Sequence, residues 1–174
     1  AYTVAFEGID ARLVEVQCAL APGLPGFAIV GLPDKAVSEA RDRVRAALNA
    51  LSIALPSKRL TINLSPADLP KAGSHFDLPI ALSIMAAIGI IPEEDIAATV
   101  SLGELSLDGS LIAVQGALPA ALAAASEGKG LICPRACGAE AAWIPDAHVI
   151  APTGLAEALA HFTGQSPLLP ATPG

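Results

Sequence analysis

Aromatic side chains are scarce in this chain: one tryptophan, one tyrosine and four phenylalanines stand among 174 residues. Apolar residues nevertheless make up 53% of it, so the core must be built from alanine, leucine, isoleucine and valine. That is the composition of helices packed with sheet, and it excludes a disordered segment. No apolar run reaches the roughly 18 residues that cross a bilayer. No basic leader followed by an apolar stretch opens the sequence, so a cytoplasmic protein without a membrane partner is expected. The last ten residues, QSPLLPATPG, are rich in proline and resemble an interdomain linker. The expected organisation is one domain over 1–164, with 165–174 leading towards a further module.

Cysteine is equally sparing. Three residues fit a reducing compartment better than a disulfide framework. Cys133 and Cys137 lie four apart, but a zinc site needs two more ligands and only His148 and His161 are near in sequence, so small apolar packing residues are expected and no metal. Phosphate-binding glycine motifs are also missing. The Gly128-Lys129 pair is followed by Gly130 where a P-loop needs serine or threonine, and Ala123 stands at the first glycine position. No Gly-x-Gly-x-x-Gly follows a strand. Machinery for ATP hydrolysis is therefore not expected in this chain.

What is present is an uneven charge. The net charge is −7, yet Lys35 to Lys71 carries seven cations (Lys35, Arg41, Arg43, Arg45, Lys58, Arg59, Lys71) against Glu39, Asp42 and Asp68. That sector is +4 and the remainder −11. An acidic protein is no bulk nucleic-acid binder, but one basic sector can meet phosphates locally.

The stretch Ser57–Leu82 organises the rest. Arg59–Leu64 alternates apolar and polar β-formers and reads as a strand. Pro66, Pro70 and Gly73 then break regular structure, and Ser74-His75-Phe76-Asp77 matches a capping box before an apolar helix over 77–90. A polar loop between a core strand and a helix start is a place for anions or nucleophiles. His75 and Asp77 are two residues apart at a helix start and so point apart, which disfavours an acid–base pair; Asp77 is expected to cap and His75 to be structural.

Around it, strands are expected at 2–7 and 11–20 with a turn at Gly8–Asp10, and a short one at Phe27–Val30. A helix over 34–51 carries an apolar stripe of Val37, Ala40, Val44, Ala47, Leu48 and Leu51. Arg41 and Arg45 lie a turn apart on another face, and Glu39 can pair with Arg43. Strands at 99–106 and 111–114 are joined through Asp108-Gly109. A helix over 116–127, a strand at 131–133, a short helix from Gly138, a strand at 148–151 and a helix at 155–162 complete an α+β fold, a mixed sheet covered by helices.

Three long motifs carry a resemblance. GLPDKAVSEARDRVRAAL, PSKRLTINLSPADLPKAGSHFDLPIAL and GELSLDGSLIAVQGALPAAL, in that order, resemble the N-terminal domain of the ComM/YifB proteins, bacterial AAA+ ATPases related to magnesium-chelatase subunits. The resemblance implies a Lon-protease-type fold placed before an ATPase module, with ATP and Mg2+ bound only there. The family is linked to natural transformation and to hexameric branch migration on DNA. Lon-type peptidases use a Ser/Lys dyad, with a neutral lysine activating the serine. Lys71–Asp77 resembles their serine motif and Gly103–Gly116 the hairpin motif before their lysine. On that register the dyad positions hold His75 and Leu118, and leucine cannot accept a proton. Ser74 sits one residue early, with no lysine to match.

The resemblance thus implies a non-catalytic accessory domain of a DNA-processing AAA+ protein, expected to be a homo-oligomer in the full-length protein, with DNA and its own ATPase module as the expected partners. The residues expected to meet DNA are Arg41, Arg43, Arg45, Lys58, Arg59 and Lys71. The alternatives are a pure oligomerisation or partner-binding module and, less favoured, a serine peptidase acting through Ser74.

Overall fold

A computed structural model describes the chain from Ala1 to Gly174. Strand β1 (Tyr2–Glu7) turns through Gly8 and Ile9 into the long strand β2 (Asp10–Ala21), and the two pair antiparallel from Tyr2–Glu15 to Glu7–Asp10. After a bend over 22–24, β3 (Gly26–Val30) leads through Gly31 into α1 (Asp34–Ala50). Pro33 and Asp34 start this helix as their fixed φ and negative charge favour. Its stripe of Ala40, Val44, Ala47 and Leu48 is buried. Strand β4 (Arg59–Ser65) then enters the sheet between β3 and β2.

The second half adds α2 (Asp77–Ala87), α3 (Glu93–Ala97), β5 (Thr99–Ser101), β6 (Glu104–Leu105), β7 (Leu111–Ile112), α4 (Ala117–Ser126), β8 (Gly130–Ile132), α5 (Gly138–Ala141), β9 (Val149–Ile150) and α6 (Leu155–Phe162). Seven strands form one mixed sheet in the order β3-β4-β2-β1-β5-β8-β9. Strand β2 is antiparallel to both neighbours and every other adjacent pair is parallel. Strands β6 and β7 make a separate hairpin.

Side-chain alternation sorts the core into two layers. On one face Ala5, Val14, Val16, Phe27, Ile29, Leu60, Ile62 and Leu64 pack under α1, α2 and α6. On the other, Val4, Val100, Leu131 and Val149 pack under α4 and α5. Helix α2 is buried from Asp77 to Met85, as its all-round apolar sequence requires. The expected α+β class, a mixed sheet with covering helices, is what the structure shows. No helix is long and apolar enough to cross a membrane.

Two expectations need correction. The strand expected at 99–106 is two strands in two sheets, because Leu102-Gly103 leaves the main sheet to pass beneath the start of α2. There Gly103 N donates to His75 O and Leu78 N donates to Gly103 O, each at 3.0 Å. A Cβ at Gly103 would lie 2.8 Å from Leu111 Cδ2, so a side chain there would push the end of Leu111 aside. Helix α2 stops at Ala87 rather than 90, with Gly89 at φ +83° ending the turn. The acidic stretch after Pro92 forms a short helix, α3. The proline-rich end lies back on the domain: Leu168 packs on the larger core and Ala171 N donates to Val149 O at 2.8 Å.

One glycine fixes how α1 lies over β4. Gly31 has φ +112°, and a Cβ there would stand 2.7 Å from the Leu64 carbonyl oxygen. Gly128 also has positive φ (+67°) but nothing within 4 Å. Gly31→Ala should lower unfolding free energy by about 3 kcal/mol, and Gly128→Ala by about 1 kcal/mol, in urea titrations. Equal losses would mean that backbone strain alone, not contact with β4, matters at Gly31.

Candidate functional site

The loop between β4 and α2 brings together the residues singled out by sequence. The capping box does not form: α2 has no side-chain cap, and Phe76 rather than Ser74 precedes its first turn. Asp77 is fully buried and its carboxylate turns towards α1. Arg43 Nε donates to Oδ2 at 2.6 Å and Nη2 to Oδ1 at 3.1 Å, a two-point fork. Leu105 N of β6 donates to the same Oδ2 at 3.0 Å. The desolvated carboxylate therefore joins α1, α2 and the β6–β7 hairpin, a stronger use of its charge than a local cap. Burial pushes the Asp77 carboxyl upward, against the guanidinium and the Leu105 N–H. The hydrogen bond to Asp77 raises Arg43 further, and both Asp77 oxygens accept N–H donors, the arrangement a carboxylate makes with a guanidinium. Glu39 stands 3.8 Å from Arg43 at the expected i,i+4 spacing.

His75 is buried between two rings, 5.1 Å from Phe6 and 4.1 Å from Phe76 by centroid. Its Nε2 lies 2.6 Å from Val4 O, and a carbonyl only accepts, so Nε2 carries the proton. Burial lowers its pKa, and the neutral ring is a packing group tied to β1. Lys71 is buried as well, but its Nζ donates to Pro66 O and Leu69 O at 2.5 and 2.9 Å. It closes its own loop and makes no hydrogen bond to Ser74. Ser74, Lys35, Lys71 and Arg43 do line one cleft of about 390 Å³ between α1 and the loop. Leu118 is exposed on α4, and its N–H is satisfied by Glu140 Oε2 at 3.0 Å. Cys133 and Cys137 are buried free thiols, and desolvation pushes Cys133 up to about 12, so it is no thiolate at neutral pH.

The cations expected to meet DNA divide into two groups. Arg43 and Lys71 are engaged inside the fold, by Asp77 and by two carbonyls. Arg41, Arg45, Lys58 and Arg59 gather at one corner of the sheet. Arg41 Nη1 donates to Phe27 O at 3.2 Å, and the Arg45 guanidinium lies 5.6 Å over the Phe27 ring. Gly26, beside Phe27, is in register with Arg59 and donates to Lys58 O. None of these four makes an ion pair, although the chain is acidic. Arg59 alternates with Leu60, so it projects from the face opposite α1, and the four cations wrap around the β3–β4 corner. Sequence reasoning did not give Phe27 its organising part. One exposed signal existed, an aromatic isolated among glycines and prolines just before the arginine helix.

A family model described as subunit ChlI of Mg-chelatase matches residues 14–137. The chain is similar to competence protein ComM of Haemophilus influenzae, with 41% identity over 171 residues, which is 98% of this chain and 34% of that protein. It is similar to YifB of Escherichia coli, 42% identical over 131 residues, or 75% of this chain and 26% of YifB. An uncharacterized protein of Mycobacterium tuberculosis is 48% identical over 128 residues, 74% of this chain and 25% of its own length. The chain thus spans between about a quarter and a third of these relatives.

The lowered His75 pKa has a sign that can be checked. The folded state prefers the neutral ring, so its contribution is complete above the unfolded value of about 6.5 and is lost as pH falls through and below it. Stability in urea should drop between pH 7.5 and 5. His75→Gln, which keeps a donor for Val4 O, should cost about 1 kcal/mol of ring packing at pH 7.5 and lose less on acidification. An unchanged pH dependence in this variant would place the titration elsewhere.

Proposed function

This chain belongs to the Mg-chelatase ChlI family, among its ComM/YifB-type members, and on that premise we propose that it is a non-catalytic accessory domain that engages DNA for an attached AAA+ ATPase. The observation that carries the proposal is the basic corner: Arg41 and Arg45 gathered on Phe27 beside Lys58 and Arg59, free of carboxylate partners in a chain of net charge −7. Four cations set around one corner of the sheet, none of them in an ion pair, make a favourable place for phosphates. Recognition through phosphates alone is independent of sequence and weakens steeply with salt.

The non-catalytic reading rests on the dyad positions. A serine activated by lysine needs the two within hydrogen-bond reach, and Lys71 Nζ is spent on backbone carbonyls while Leu118 has no proton chemistry. The name of the Haemophilus relative, a competence protein, agrees with a role in handling DNA. ATP and Mg2+ would be handled by the attached ATPase, and ring assembly there would set the oligomeric state. A second reading, a partner-binding or oligomerisation module, is favoured by the exposed Ile9, Leu118 and Leu122. Ile9 and Leu122 line a groove of about 510 Å³ between the β1–β2 turn and α4.

Fluorescence anisotropy with single-stranded, duplex and forked DNA over a salt series separates the two. The corner should bind all three with a salt slope of several units. Replacing Arg41, Arg45, Lys58 and Arg59 together with alanine should weaken binding at least tenfold and reduce the slope by roughly three to four units. Binding that is absent at low salt, or indifferent to these four residues, would refute DNA engagement and leave the partner-binding reading.

A further inference from the structure

His161 closes α6 with its ring turned towards the chain that follows. Leu168 N donates to His161 Nδ1 at 2.9 Å. A backbone N–H only donates, so Nδ1 presents a lone pair and the neutral ring carries its proton on Nε2. Three more hydrogen bonds fasten the stretch 165–174. Ser166 N donates to Ala160 O at 3.1 Å, Ala171 N to Val149 O at 2.8 Å, and Trp143 Nε1 to Gly174 O at 3.1 Å. Pro167, Pro170 and Pro173 have no N–H to offer, so donors along this stretch are few. Beneath it, a cleft of about 570 Å³ is bordered by Arg135, Gly138 and Ala151.

The stretch itself contains no charged side chain. Of its four fastenings, the one to His161 is alone in depending on a group that titrates near neutrality. The ionisable groups around that ring come from separate elements: His148 immediately before β9, and Asp95 from α3. Arg135 and Glu157, near the same stretch, are paired with each other at 3.3 Å. His148 and His161 border a cavity of about 70 Å³, and Phe162 meets the His161 ring edge-on at 5.5 Å. Desolvation and then the neighbouring His148 lower the His161 pKa, with Asp95 opposing.

We propose that His161 is a proton-operated latch on residues 165–174. With Nδ1 bare, the stretch lies along the outer edge of β9. Uptake of one proton from solvent at Nδ1 turns the acceptor into a second donor, ends the Leu168 hydrogen bond and lets the stretch leave, uncovering Val149 O at the sheet edge. The lowered pKa fixes the direction: the fastened form persists above the ordinary histidine value of about 6.5 and is lost as pH falls below it.

Amide hydrogen exchange by NMR on the 174-residue chain from pH 8 to 5, corrected for intrinsic rates, tests the latch. Ile62, buried in β4, reports global opening. Protection at Leu168 and Ala171 should fall roughly 3- to 10-fold on acidification while Ile62 remains protected. Trp143, the chain's one tryptophan, should become more accessible to acrylamide over the same range. His161→Asn keeps an acceptor near the Nδ1 position without titrating, and should hold the stretch at every pH. His161→Phe should release it at every pH. The latch is refuted if Leu168 protection does not change with pH, if it is lost together with Ile62, or if His161→Asn loses it at the same pH as the wild type.

Discussion

The two-point ion pair between Arg43 and Asp77 is the constraint on which the arrangement of this domain depends. A carboxylate with no exposure to water is tolerable only if its charge and lone pairs are met, and here a guanidinium fork and the Leu105 N–H meet them. Two of those contacts come from α1 and one from β6, while Asp77 itself starts α2, so one charged group sets the relation of helix layer to hairpin. Removing either partner should leave an uncompensated buried charge, at a cost of about 3–5 kcal/mol. The apolar core beneath, made mostly of small aliphatic residues, supplies burial but little directional preference of its own.

The same pair decides what the basic helix can offer outside. The fork to Asp77 draws Arg43 inward, whereas Arg41 and Arg45, two residues to either side, reach over Phe27 to the edge strand. The helix thus spends one arginine on the fold and presents two. Lys71 follows the same division, with its amine closing the loop that delivers Asp77. His75 is a donor to β1 between two phenylalanine rings. The loop that sequence analysis put at the centre is central to the architecture.

Much of the fold was legible because it follows from short-range patterns. Alternation along Arg59–Ser65, the stripe on α1 and the Asp108-Gly109 turn each locate an element without knowledge of its partners. The family was legible for a related reason, since its long motifs lie in the segments that build this junction. What escaped depends on contacts distant in sequence. Ser74-x-x-Asp77 has the form of a capping box, but Arg43 lies 34 residues earlier and a two-point ion pair outcompetes a cap. The continuous β-pattern of 99–106 hid a change of sheet at Gly103, dictated by the approach of α2. The proline-rich end has a linker's composition, and only Leu168, Ala171 and Trp143 in their folded places give it somewhere to lie. Arg41, Arg43 and Arg45 are alike in sequence, and packing alone tells them apart.

The most direct test of this account is a double-mutant cycle on Arg43→Met and Asp77→Asn, read by urea unfolding at pH 7.5. If the ion pair is the keystone, each single change is costly, and the double variant loses at least about 2 kcal/mol less than the sum of the two, because each partner's loss strands the other. Losses that add to within about 0.5 kcal/mol would show that the two residues act independently, and the junction would then owe its stability to the surrounding apolar packing instead.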